Sequence, residues 1–144
     1  MRTAQTIFSG QFYAFQRRSP GRGETVVVPD KGIFNFIKPS GLDRIRFDGD
    51  PEFEKKFEAY TTDPAAALSL LDADVRRRLV ELRAIGRVAA FFGPEDVLVG
   101  TWGKNRFEPG SMFSSRPAEA RARGMFDEVC AALSVTRALK AALD

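Results

Sequence analysis

Histidine is absent from the 144-residue chain, and cysteine occurs once. Histidine is the side chain that ordinarily titrates near neutrality, so its absence excludes serine–histidine and cysteine–histidine catalysis and histidine-ligated zinc. Cys130 alone can form neither an intramolecular disulfide nor a CxxC metal site, which favours a reducing compartment. Any catalysis would therefore fall to Asp, Glu, Lys or Tyr side chains.

The chain also lacks a long hydrophobic run. The longest stretch without a charged side chain covers residues 3–16 and is interrupted by Gln and Ser. It is shorter than the roughly 20 apolar residues that a membrane-spanning helix needs, and its polar interruptions do not fit a signal peptide. We therefore expect a cytoplasmic protein.

The distribution of charge along the chain indicates no particular partner. Lys and Arg outnumber Asp and Glu by 22 to 19, and the excess is spread along the chain without a basic tail. Nucleic-acid binders combine a high isoelectric point with clustered basic residues, so the composition does not favour a nucleic-acid partner.

Several segments have the patterns of strands. Residues 7–16 are rich in aromatics, and the Gly- and Pro-containing segment 17–24 predicts a hairpin loop that leads to a partner strand at 25–28. Two apolar runs at 87–92 and 97–102 flank a Gly-Pro turn, which predicts a second hairpin.

The remaining pattern is largely helical. Phe53 and Phe57, four residues apart among Glu and Lys, indicate a short amphipathic helix. Asp63 precedes a proline and Asp72 precedes an apolar stripe, so each should cap a helix. From about residue 117, one apolar stripe recurs at helical spacing: Met125, Val129, Ala132, Leu133, Thr136, Leu139 and Leu143.

These patterns predict one α+β domain over residues 1–144. We expect an antiparallel sheet of about five or six strands, packed against two main helices on one face. These helices are the one at 74–85 and a long C-terminal helix. Cys130 should be buried and inert at the edge of the C-terminal stripe.

The segment 49–82 resembles the hallmark of a bacterial family of proteins of unknown function. Its Asp-Pro-Glu-Phe-Glu-Lys-basic-Phe block, the extended piece ending in Tyr60, and Asp63-Pro64 before an amphipathic helix all match. Weaker matches flank it at Phe8, Gly10, Phe12, residues 25–29, 97–100 and 107–109. Because many members of this family carry a membrane-spanning hairpin before the domain, the resemblance implies an alternative location at the inner face of the bacterial membrane.

Two polar sets could carry function. Arg17, Arg18 and Arg22, on a loop with two glycines, could contact a phosphate or an anionic lipid, although the loop matches no Walker-type motif. The acidic set Glu52, Glu54 and Glu58 could include a carboxylate with a raised pKa, but alternating Glu and Lys is typical of a solvated helix face.

The sequence therefore predicts no catalytic residue, no metal site and no cofactor. We expect a non-enzymatic interaction or regulatory module of a bacterial protein, with a protein as its partner. The alternative is an anion-binding domain for a phospholipid headgroup or nucleic acid that uses Arg17, Arg18 and Arg22. A carboxylate-based enzyme ranks third.

Overall fold

The computed structural model describes residues 10–30, 41–84, 86–102 and 118–143. Its strands are β1 (Gly10–Gln16), β2 (Thr25–Pro29), β3 (Asp43–Ile45), β4 (Phe57–Thr61), β5 (Arg87–Phe92) and β6 (Asp96–Trp102). They form one antiparallel sheet with the spatial order β1-β6-β5-β2-β4-β3. The fold is therefore α+β, with a six-stranded sheet.

The predicted arrangement of two main helices on one sheet face is wrong. The helices of the described residues are α1 (Pro51–Lys56), α2 (Pro64–Leu70), α3 (Ala73–Arg83) and α4 (Ala118–Leu143). Two short helices, α1 and α2, contribute Phe53 and Ala67 to the core beside α3. The C-terminal helix packs principally on α3, because α1, α2 and α3 together already supply apolar side chains to the sheet.

Aspartates begin three of these helices. The side chains of Asp50, Asp63 and Asp72 each accept a hydrogen bond from the backbone N–H three residues later, at 3.1, 3.0 and 2.9 Å. Such a bond satisfies one of the N–H groups that the first helical turn leaves without a partner. The helix starts predicted at Asp63 and Asp72 are confirmed.

The predicted hairpin between β1 and β2 is wrong, whereas the hairpin between β5 and β6 is confirmed. The loop after β1 runs along the β5–β6 turn, where the backbone N–H groups of Arg17 and Gly21 donate to the carbonyl oxygens of Glu95 and Pro94, both at 2.7 Å. These bonds place β1 beside β6, and β2 lies between β4 and β5.

The core lies between the helices and one face of the sheet, which we call the inner face. Phe53 and Phe57 are fully buried there, and their rings stack at a centroid distance of 5.2 Å. Phe47 meets the Phe53 ring edge-on at 5.4 Å. The helix predicted from the 53–57 spacing is present as α1, but it ends at Lys56, so Phe57 reaches the core from β4 and not from the helix.

Candidate functional site

The opposite, outer face of the sheet carries a continuous row of cross-strand partners. Because directly opposed residues of antiparallel strands share a face, the register places one residue from each strand in this row. From β3 to β1 the row consists of Arg44, Tyr60, Val26, Phe91, Leu98 and Ala14. It is polar at the β3 end and apolar at the β1 end.

The apolar end broadens into a surface that we call the outer-face patch. Its members are Phe12, Ala14, Ala89, Phe91, Leu98 and Gly100. Phe12 is 66% exposed and Leu98 is 40% exposed, although both are large apolar side chains. An added Cβ at Gly100 would lie 3.1 Å from the Phe12 ring, so glycine allows the ring to lie close to β6. The patch contains no charged side chain.

The polar end is a hydrogen-bonded trio. The Tyr60 hydroxyl donates to Glu58 Oε2 at 2.8 Å, and Arg44 Nη2 lies 3.4 Å from Glu58 Oε1. Burial of Tyr60, with its bond to the Glu58 carboxylate, raises the pKa of the phenol above its ordinary value. The trio therefore fixes a protonated tyrosine and a paired carboxylate on the outer face.

The three glutamates of the candidate acidic set make different contacts. Glu52 pairs with Lys56 at 3.0 Å on an exposed turn of α1, as the i to i+4 pattern predicts. Glu54 accepts the backbone N–H of Phe47 at 2.8 Å, and Glu58 lies beyond the helix on β4. Each carboxylate has a structural partner.

The candidate anion-binding arginines begin at the end of β1. Arg17 Nη1 donates to the Gly93 carbonyl at 3.3 Å, and its guanidinium lies directly over Gly21. Arg18 and Arg22 are exposed. Arg17 is thus engaged with the β5–β6 turn, and anion binding by the three residues stays a prediction.

No metal centre is visible in the parts of the chain that the structure describes, since no three potential ligands are grouped there. Within the same ranges, no helix combines the length and apolarity that crossing a bilayer requires.

Comparison with known proteins gives one match. The family described as "Protein of unknown function (DUF3137)" matches residues 6–141. The chain belongs to this family. Neither the curated proteins nor the solved structures provide a significant match.

In this DUF3137 chain, Arg76 is a site that sequence reasoning missed. Arg76 Nε donates to Asp50 at 2.8 Å, and Arg76 Nη1 donates to the Leu71 carbonyl at 2.6 Å. Its guanidinium also lies 4.5 Å from the centroid of the Phe47 ring. The sequence did indicate that Asp50 caps a helix, because it precedes Pro51. It did not indicate that Asp50 meets Arg76, because only the fold brings these two residues together.

The DUF3137 chain also corrects the prediction for Cys130, which is exposed. Two described members of the predicted C-terminal stripe differ in burial. Leu139 is fully buried, whereas Leu133 is exposed on another side of α4. At about 100° per residue, Leu133 lies about 120° around the helix from Leu139.

Proposed function

We propose that this chain is a non-enzymatic interaction module of a bacterial protein, and that its outer-face patch receives an apolar segment of a protein partner. The observation that carries the proposal is the exposure of Phe12 and Leu98 on adjacent strands of one sheet face. Diagonal neighbours on such a face are close enough for one partner side chain to touch both.

The chemistry of the patch defines the partner segment. A charged side chain placed against it would lose water without gaining a counter-ion, which is unfavourable. An uncharged segment with at least two apolar side chains fits, because it would remove Phe12 and Leu98 from water. The Arg44–Glu58–Tyr60 trio lies at the other end of the face and offers polar contacts beyond the apolar part.

The cellular setting is part of the same proposal. We propose that the module acts in the bacterial cytoplasm or at the inner face of the membrane. The second location is the one implied by family members that carry a membrane-spanning hairpin. The absence of histidine supports a non-enzymatic role, because the commonest acid–base group is missing.

The test compares partner capture by three forms of the full chain: wild type, Leu98→Asp and Leu68→Asp. Leu68 on α2 is a matched control, because it is 52% exposed and the same charge is introduced away from the patch. We expect wild type and Leu68→Asp to capture the same partner, and Leu98→Asp to lose it. The purified partner should likewise bind wild type and Leu68→Asp but not Leu98→Asp. Retention by Leu98→Asp, with circular dichroism showing a folded chain, would contradict the proposal.

A parallel screen for hydrolase activity tests the non-enzymatic part. We expect no turnover above background that depends on one side chain. Robust turnover that disappears when a single Asp or Glu is replaced by its amide would overturn this part of the proposal.

A further inference from the structure

Helix α4 presents an ordered set of side chains on the side that faces away from the core. Leu139 is fully buried, and at about 100° per residue Cys130 lies about 180° around the helix from it. Seven exposed residues follow this outward side, and we call them the α4 seam. They are Glu119, Arg123, Phe126, Cys130, Leu133, Arg137 and Lys140.

The spacing of the α4 seam is that of a coiled coil. Successive members are separated by four, three, four, three, four and three residues, which is the alternation of a and d positions in a heptad repeat. Its centre is apolar, and Phe126 and Leu133 are 67% and 43% exposed. A solvated helix face has no need of apolar side chains at this spacing.

We propose that the α4 seam pairs with the α4 seam of a second copy of this chain in antiparallel orientation. The charges at its ends select this arrangement. A parallel pair would place each charged member beside its own equivalent, so four pairs of like charges would face one another. These members are Glu119, Arg123, Arg137 and Lys140. Antiparallel pairing removes these four level pairs.

One antiparallel register gives six of the seven seam members a level partner within the seam, and only Lys140 lies beyond the last layer. In antiparallel coiled coils a positions lie level with d positions of the other helix, so Phe126 can lie level with Cys130 of the second copy. The same register brings Arg123 level with Leu133, where its methylene stem can pack. It also brings Glu119 level with Arg137 of the second copy, and the two-fold axis repeats each contact.

The pair should be reversible. Only three members of each seam are apolar, and six layers span about 27 Å of helix, from 1.5 Å of rise per residue. Stable interfaces bury roughly 1,200–2,000 Å², so we expect a pair held through three apolar side chains of each copy to dissociate readily. This self-association is independent of the proposed function, because α4 and the outer-face patch are separate elements.

The first experiment measures self-association of the full chain by sedimentation velocity over a concentration series, under reducing conditions. A short bismaleimide then traps the pair through Cys130, the only cysteine in the chain. We expect a dimer that grows with concentration and a crosslinked product that Cys130→Ser abolishes. Leu133→Asp should lower the association constant at least tenfold, whereas the matched Leu68→Asp variant should leave it unchanged.

A charge exchange tests the orientation. Glu119→Arg and Arg137→Glu should each weaken the dimer severalfold, and the double variant should restore it, because opposite charges again lie level in the antiparallel pair. A parallel pair would gain no such restoration. The inference is overturned by a chain that stays monomeric at all concentrations, by a dimer insensitive to Leu133→Asp, or by a double variant no stronger than the single ones.

The two proposals can fail separately. Leu133→Asp should leave patch-dependent partner capture intact, and Leu98→Asp should leave the dimer intact. A variant that abolished both would indicate a single shared interface and would contradict the α4 pairing as stated.

Discussion

The central block, residues 47–82, differs from the outer surfaces in how its side chains are used. In the block, Asp50 caps α1 and also accepts from Arg76, which is itself largely buried. On the outer surfaces, Phe12 and Phe126 are each about two-thirds exposed. The packed foundation of the fold thus lies in this block, and the most exposed apolar rings lie on the flanking elements.

A matched pair of phenylalanine substitutions should show the largest difference in stability between the block and the outer surfaces. Phe53→Ala removes a fully buried ring that stacks on Phe57 and should lower the free energy of unfolding by about 3–5 kcal/mol. Phe12→Ala removes an equal side chain from an exposed position and should cost no more than about 1 kcal/mol. Urea unfolding followed by circular dichroism measures both. Equal losses would show that the outer face is as much a part of the core as the inner one.

A pair of arginine substitutions sharpens the same contrast among charges. Arg76→Ala removes the ion pair with Asp50, the bond to the Leu71 carbonyl and the contact with the Phe47 ring, and should cost about 1–3 kcal/mol. Arg77 contacts Asp74 in solvent, so Arg77→Ala should cost about 0.5 kcal/mol or less. A cost for Arg77→Ala that equals or exceeds that of Arg76→Ala would contradict this assignment.

The parts of the fold that depend on neighbouring residues could be predicted from the sequence. An aspartate N-cap accepts a hydrogen bond from the backbone N–H three residues later, so it is a local signal. Asp63 and Asp72 therefore predicted α2 and α3 without any information about the other elements. The β5–β6 hairpin likewise depends on its own apolar runs and the turn between them. Such local signals correctly predicted the starts of α2 and α3 and the β5–β6 hairpin.

The sequence could not reveal which distant elements meet. The pairing of β1 with β6 rather than β2 depends on backbone bonds between two loops more than 70 residues apart. In α4, the stripe member Leu139 is buried, whereas Cys130 was expected at the buried edge of the stripe and is exposed on the opposite side of the helix. The outer-face patch was missed because its members come from three strands whose order was unknown.

Acid should destabilise the packed block through Asp50. The hydrogen bond from Arg76 holds the pKa of Asp50 below its ordinary value. At a pH between the folded and the ordinary value, the unfolded chain therefore binds the proton more readily than the folded chain. The stabilisation is present above the ordinary value near 3.8 and is lost as the pH falls through the folded value. Asp50→Asn and Arg76→Ala should both flatten the acid side of the stability profile, measured by urea unfolding from about pH 5 downwards. An unchanged acid slope in both variants would contradict this role.

The smallest expected effect concerns Tyr60, where the outer face is most like the packed block. Its pKa is raised by burial and by the bond to Glu58, so the folded chain retains the phenolic proton more strongly than the unfolded chain. The resulting stabilisation is complete below the ordinary value of 10.0 and is lost as the pH rises through the folded value. Tyr60→Phe should remove this alkaline dependence and cost about 1 kcal/mol at neutral pH, for one hydrogen bond.

Tyrosinate absorbance measures the same proton directly, because the chain has only two tyrosines. In a Tyr13→Phe background, the remaining signal belongs to Tyr60. Glu58→Gln should then lower the pKa of Tyr60, since a neutral amide replaces the carboxylate that disfavours the phenolate. If Tyr60 titrated at or below its ordinary value before that change, the trio would be a loose surface contact, and the whole outer face would belong with the exposed regions.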